Sequence, residues 1–275
     1  MFVISQEINI FNSAVYEAIV KKDEKFIKNQ IEASLKNGVD AIEINLGGWH
    51  SSDELLPWLV QVAKNLGNFP LFISPIPSSL KDAIENSGRN QVFINCVTAD
   101  HDRLKSMISG AKCLGAGLVV LMTKKGFLPR SLDEICLLAE DVLELCEEKE
   151  FPLEKLIIDP VLRPRLAKNS SGEIINMPDV TFFAESIYLI GQLRPKKVHT
   201  IAGLSNLTKG LSPGYRQEFE LSAIEIFKNA GLDFVILNSQ TEKLVKKAKE
   251  EKSKRLKFSP IGFYATEIYS YDNIV

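Results

Sequence analysis

The 275-residue sequence predicts an α/β chain closed into a single (β/α)8 TIM barrel. Three observations lead there. Short apolar runs rich in Val, Ile, Leu and Phe recur with little alternation, as strands covered on both faces do. Segments with helical spacing separate these runs. About 250 residues hold the whole alternation, the usual length of such a barrel. Hydrophobic residues at 45% and charged residues at 25% exclude disordered and fibrous classes. The 33 basic and 35 acidic residues leave a formal net charge of −2, which argues against nucleic acid as a partner. No apolar run reaches the roughly 18 residues of a membrane span. The N-terminus lacks the pattern of a secretory signal, so a cytoplasmic location and no membrane partner are expected. Cys96, Cys113, Cys136 and Cys146 form no C-x-x-C pair and read as reduced thiols.

In chain order the expected strands are Phe2–Ile4, Ala41–Ile44, Leu71–Ile73, Val92–Ile94, Leu118–Leu121, Leu156–Ile158, Val198–Ile201 and Phe234–Leu237. Between them, Ser51-Ser-Asp-Glu54 and Ser131-Leu-Asp-Glu134 fit capping boxes that open helices. Apolar residues at Phe26, Ile27, Ile31 and Leu35 make one buried stripe. Leu132, Ile135, Leu138, Val142 and Leu145 make a second, and Phe219, Ala223, Ile226 and Phe227 a third. Gly38 and Gly231 fall just past helices, where the left-handed cap position favours glycine. An open doubly wound sheet is the alternative. It normally carries a glycine-rich first turn, and Ser5-Gln-Glu-Ile-Asn9 in that place has no glycine. Residues 1–275 are expected to form one domain, with a lysine-rich, solvated last helix from about Lys243 and a strap over Ser259–Val275.

A barrel places its active site at the C-terminal ends of its strands. The residues there are Gln6 to Asn9, Asn45, Ser74, Asn95, Met122 to Lys124, Asp159, Ser205 with Asn206, and Asn238. Five strand ends carry Asn and, apart from Glu7 in the first segment, Asp159 is the one carboxylate. No carboxylate pair suits glycoside hydrolysis. His50, His101 and His199 show no metal-ligand spacing, so no protein-built metal site is expected. His199 reads as a packed residue inside a strand. Amides with one carboxylate match a flat heterocycle, such as a pterin, whose edge alternates donors and acceptors. Amides also cap loops at barrel rims, and the residues alone leave both readings open.

Longer motifs carry a resemblance. Ala41-Ile-Glu-Ile-Asn-Leu-Gly47, Phe93-Ile-Asn95, Leu156-Ile-Ile-Asp-Pro160, Gly203-Leu-Ser-Asn206 and Gly231-Leu-Asp-Phe-Val-Ile236 stand in order at the strand ends. Through them the chain, from Phe2 to about Gln240, resembles the methyltetrahydrofolate–corrinoid protein methyltransferases of the pterin-binding, dihydropteroate synthase-like barrels. The resemblance implies a methyl group moving between N5 of methyltetrahydrofolate, or a related tetrahydropterin, and the cobalt of a corrinoid (cobalamin) carried by a partner protein. It implies Asn206 as the catalytic residue near N5. It implies Asn95 and Asp159 on the pterin edge, Gly203 and Ser205 lining the pocket, and Ile236 packed against it. Asn9, Asn45 and Ser74 at neighbouring strand ends, with Lys209 after the seventh strand, complete the expected substrate-binding set. A homodimer follows from the resemblance alone.

Two departures stand out. The family's strand-three Asp is replaced by Ser74, and its usual Glu-Arg-Ile-Asn near the N-terminus reads Gln6-Glu-Ile-Asn9. Losing one charge-assisted hydrogen bond weakens binding by roughly 1.5–3 kcal/mol. Two alternatives therefore remain. One is a barrel that binds a pterin or a corrinoid protein without turnover. The other is a dihydropteroate synthase enlisting Lys209 and Arg216 for a diphosphate, although the Asn-x-Thr-x-Asp-Ser-Phe pattern expected after the first strand is missing.

Overall fold

The computed structural model describes residues 1–47, 54–74, 80–88, 91–168, 170–172, 174–211 and 213–250. Its strands, in chain order, are β1 (Phe2–Asn9), β2 (Ala41–Asn45), β3 (Leu71–Ile73), β4 (Val92–Thr98), β5 (Gly117–Leu121), β6 (Leu156–Asp159), β7 (Pro164–Lys168), β8 (Ile174–Pro178), β9 (His199–Gly203) and β10 (Phe234–Leu237). Its α-helices are α1 (Ser13–Val20), α2 (Glu24–Lys36), α3 (Leu55–Lys64), α4 (Leu80–Asn86), α5 (His101–Leu114), α6 (Leu132–Glu148), α7 (Val180–Ile190), α8 (Pro213–Ala230) and α9 (Glu242–Lys249). Eight parallel strands close in the order β1-β10-β9-β6-β5-β4-β3-β2, so the fold is the (β/α)8 barrel that the sequence predicts. Each expected apolar run falls on a barrel strand, although Val198 precedes β9, which begins at His199.

Three features differ from expectation. Ser5–Asn9 is strand rather than the first turn, because β1 continues to Asn9 through a bulge between Ser5 and Ile8. The bulge absorbs an extra residue opposite β2, which hides the strand's continuity in the sequence. Helix α1 was not expected. Its start is fixed by the Asn12 side chain, which accepts from the Ala14 N–H at 3.1 Å and the Val15 N–H at 3.5 Å. Finally, β7 and β8 form an antiparallel pair of their own after β6. Prolines at 164 and 178 close its outer ends, and proline reads as loop although an edge strand tolerates it.

The core has two compartments. Between strands and helices lie Ile42, Ile44, Leu59, Val120, Ile135 and their neighbours. Inside the barrel lie Ile4, Ala41, Phe72, Phe93, Val119, Ile157 and Ile201. Phe72 and Phe93 stack with centroids 4.6 Å apart, and Phe234 leans on both at 6.2 and 6.4 Å. A Cβ on Gly117 would come within 2.2 Å of the Phe93 ring, so β5 is bare where the ring passes. His199 opens β9 at the end opposite the active-site face, edge-on to Phe234 at 5.8 Å, and is a packed residue as expected. These rings make an aromatic floor under the mouth.

The helices follow their stripes. In α6, Ile135, Leu138, Val142 and Leu145 are buried, and the Ser131 hydroxyl accepts from the Glu134 N–H at 3.2 Å. Glu134 returns its carboxylate to the Arg130 N–H, one residue earlier than a capping box requires. Gly38 and Gly231 take φ of 89° and 104°, where a side chain is strained. Helix α9 buries Leu244, Val245 and Ala248, while Lys247 pairs with Glu225 and Lys249 with Asp40. The Ser51 capping residue, His50 and the strap over Ser259–Val275 lie outside the described residues. Among the described residues no helix is long and apolar enough to cross a membrane.

Candidate functional site

The strand-end polar residues sort by what their side chains touch. In Asn9, Asn45, Asp159 and Asn238 the Oδ1 atom accepts from the backbone N–H two residues on, at 3.0, 3.0, 2.7 and 2.9 Å. Each is an Asx turn that bends the chain off its strand. The amide richness at the rim is thus partly a matter of turn chemistry. Asn95 and Asn206 stand outside this pattern.

Asn95 ends the first part of β4, where the ladder to β5 shifts before Val97. Its Nδ2 donates to Glu43 Oε1 at 2.9 Å. Glu43 lies in the middle of β2 and is 5% exposed. The same Oε1 accepts from Asn45 Nδ2 at 3.3 Å. Asn45 Oδ1 in turn accepts from the Ser74 hydroxyl at 3.0 Å, and the Ser74 N–H donates to the Ile44 carbonyl. Asn45, Ser74 and Asn95 are therefore brought together, through an acid that lies within a strand rather than at its end.

The mouth holds a second carboxyl besides Asp159, which corrects the expectation of a single one. The residues at 41, 43 and 45 share one face of β2 because side chains alternate, and Ala41 is inside the barrel. An acid in the run Ala-Ile-Glu-Ile was the available signal.

Burial dominates the electrostatics. It pushes Glu43 up to about 7 against the pull of the Asn45 and Asn95 amides. It pushes Asp159 up to about 7 against the single Val161 N–H. Cys96 follows Asn95, and burial, then Asp159 and Glu43, push its thiol up to about 12. Such a thiol is no nucleophile at neutral pH. After Asp159, Val161 holds φ of 65°, a strained conformation for a β-branched residue that aims its N–H at Asp159.

On the other side of the mouth, Gly203 closes β9, in register with Ile236 of β10, which pairs with Ile4 of β1. A Cβ on Gly203 would lie 3.0 Å from Asn206 Nδ2. The bare glycine thus lets the Asn206 amide fold down over the strand end. A 3-10 turn, Leu204–Asn206, makes this possible, and Asn206 is exposed at its end. Ile236 is half-buried against the interior cluster.

Three expected residues keep to the rim. Asn9 spends its Oδ1 on its own turn. Ser205 and Lys209 are exposed, and the Ser205 carbonyl accepts from the Thr208 hydroxyl. Arg216 turns back to the Leu211 carbonyl at 2.8 Å. Glu7, within the Gln6–Asn9 end of the first strand, accepts from the Ser239 N–H at 2.9 Å, and burial raises its carboxyl.

No family model matches the chain. A methylcorrinoid:tetrahydrofolate methyltransferase of Eubacterium limosum is 22% identical over 242 residues, covering 86% of this chain and 85% of the relative. The dihydropteroate synthase of Coxiella burnetii, solved with pteroic acid, superposes with a TM-score of 0.63 at 12% identity over 90% of each chain. That of Clostridium difficile, also with pteroic acid, gives 0.63 at 15% identity over 90% of this chain and 94% of its own. The chain therefore has the closed barrel fold of the dihydropteroate synthases and, as its strand-end motifs imply, is similar over most of its length to a methylcorrinoid:tetrahydrofolate methyltransferase.

Proposed function

We propose that this barrel is a methyltransferase working between N5 of a tetrahydropterin and a corrinoid carried by a separate protein. The observation that carries the reading is the content of the mouth. Asp159, Asn95 and Asn206 stand over an apolar floor, and the one thiol beside them is held protonated. Such a site binds and orients a donor-rich heterocycle without attacking it. The full-length likeness to a methylcorrinoid:tetrahydrofolate methyltransferase supports both the substrates and a direction, from corrinoid to tetrahydrofolate.

The residues fit a tetrahydropterin. Asp159 has one oxygen in its turn, and the other, which accepts from no described residue, can take an N–H from the ring edge. Asn95, held by its Nδ2, turns its carbonyl away from Glu43. Ile236 supplies an apolar wall. Asn206 meets N5. Its oxygen accepts from a protonated N5 and its nitrogen donates to a bare one, so one side chain serves both states. A bound methylcorrinoid would supply the methyl group and keep the electron pair of the broken cobalt–carbon bond. N5 would take the methyl on its lone pair and lose its proton to solvent past the exposed Asn206. Ser205 and Lys209 line the outer rim. The partner docks over the mouth, where Phe11 after β1 and Phe127 after β5 are 83% and 73% exposed on opposite sides. Catalysis is then mostly placement of two large groups in line.

The test is a titration with tetrahydrofolate on wild type and Asp159→Ala, followed by methyl transfer from methylcobalamin. Wild type is expected to bind and turn over, and the variant to bind about 10- to 100-fold more weakly, as loss of a charged hydrogen-bond acceptor does. Binding without turnover would leave a non-catalytic barrel, and no binding would sink the reading.

A further inference from the structure

We infer that Glu43 is a positioning residue for the ligand of this site: its carboxyl holds the Asn95 amide with the carbonyl turned to the mouth. The ligand's identity rests on the reading above, whereas the geometry does not. Glu43 comes from the layer of β2 that lies in register with Phe72 and, through it, Phe93. Its side chain rises from the aromatic layer and reaches the next layer, where Asn95 and Asn45 stand. There Oε1 takes both amides, at 2.9 and 3.3 Å.

The two amides are not equivalent. Asn45 is fully used. Its Nδ2 goes to Glu43, and its Oδ1 accepts from the Gly47 N–H and the Ser74 hydroxyl. It is a strut that ties Ser74 and the end of β2 to the acid. Asn95 has only the bond to Glu43 among the described residues, which leaves its Oδ1 as an acceptor for something else. An isolated amide can present either end, since oxygen and nitrogen have nearly the same shape. The acid removes that freedom: its Oε1 accepts from Asn45 as well as Asn95, so a proton on the neutral carboxyl sits on Oε2, and Oε1 stays an acceptor that repels Oδ1. Glu43 Oε2 likewise accepts from no described residue. With both acids ionised, the mouth thus presents acceptors from two walls, Asn95 Oδ1 with Glu43 Oε2 on one and the second oxygen of Asp159 on the other. A ligand that satisfies it brings N–H donors on more than one edge, as an aminopyrimidine-type ring does.

Glu43→Gln keeps a carbonyl that can accept from Asn95. Glu43→Met keeps the length and removes the acceptor. The side-chain amide signals of Asn95 in a 15N NMR spectrum read its orientation without any ligand. They are expected to stay near wild type in Glu43→Gln and to shift, with faster exchange, in Glu43→Met. The tetrahydrofolate Kd and KM are expected to stay within about threefold in Glu43→Gln and to rise tenfold or more in Glu43→Met, with kcat retained because Asn206 is untouched. Should Glu43→Met not fold, Glu43→Asp withdraws the carboxyl by one methylene and carries the same expectation. Unchanged Asn95 signals in these variants, or a Kd within twofold of wild type in Glu43→Met, would overturn the inference. Failure of wild type to bind tetrahydrofolate would remove the methyltransferase reading alone, and the NMR comparison would then settle the role of Glu43.

Discussion

Identical side chains do different work at the rim of this barrel. Asn9, Asn45 and Asn238 each turn the chain by accepting the N–H two residues on, whereas Asn95 and Asn206 face the mouth. Substitution of the former group should show in stability and of the latter in kinetics. The two buried acids make a pH expectation. Glu43 and Asp159 both titrate at about 7 in the folded chain, against 4.5 and 3.8 for the free groups. Their stabilising contribution is full below the lower values and is lost as pH rises through about 7, since only the folded state must keep the charge buried. Each shift is worth on the order of 3 kcal/mol. Urea unfolding at pH 4 and pH 8 should therefore show Glu43→Gln and Asp159→Asn gaining on wild type at the higher pH. A constant difference between the two pH values would contradict the burial argument. Gly203→Ala places a methyl group 3.0 Å from Asn206 Nδ2. We expect near-normal stability and a methyl-transfer rate lowered by about tenfold, because small misplacements of a positioning group are costly. A normal kcat would detach Asn206 from the chemistry.

Strands and helices were legible where one period dominates. The barrel strands read as unbroken apolar runs because each is covered by the interior on one face and by helices on the other. Helix α6 carried both a cap and a stripe, and removal of the cap by Ser131→Ala should cost about 1 kcal/mol in chemical denaturation. The elements that escaped notice, α1 and the β7–β8 pair, are short and flanked by turn-forming residues or proline. Strand β5 shows how one element is shaped by another. Gly117→Ala would push a methyl group into the Phe93 ring, 2.2 Å away, and toward the Lys155 carbonyl at 3.1 Å. Overpacking of this kind costs roughly 1–3 kcal/mol. Part of it should return when Phe93→Leu is added, and simple additivity of the two changes would show that the ring is not the cause.

Closure of the barrel joins the two ends of the described chain. Strands β1 and β10 pair in register from Phe2 with Phe234 to Ser5 with Leu237. Beside that seam the buried hydroxyls of Ser5, Ser34 and Ser239 lie 2.9 to 3.0 Å from one another, and Ser239 also meets Glu7. Ser34 is a polar interruption in the stripe of α2, and this cluster is the reason for it. Removing the hub with Ser239→Ala leaves buried hydroxyls short of a partner and should cost roughly 1–3 kcal/mol. Thermal unfolding checks this, and a neutral result would mean that the remaining pair of serines closes up.

The order of strands, the faces of the longer helices and the list of polar residues at the strand ends could all be read in the amino-acid sequence. Each depends on a local pattern, namely apolar runs, three-and-four spacing, or a residue's place after a run. The resemblance to corrinoid methyltransferases rested on the same strand-end motifs. Partnership was not local. Glu43 bonds to Asn95 across 52 positions, Ser74 to Asn45 across 29, and Ser5 to Ser239 across 234. No spacing rule connects such residues, because barrel closure, strand register and the pleat set which side chains meet inside. That is why Asp159 was legible as a lone acid, while its counterpart on β2 emerged only once the barrel had brought the two walls of the mouth together.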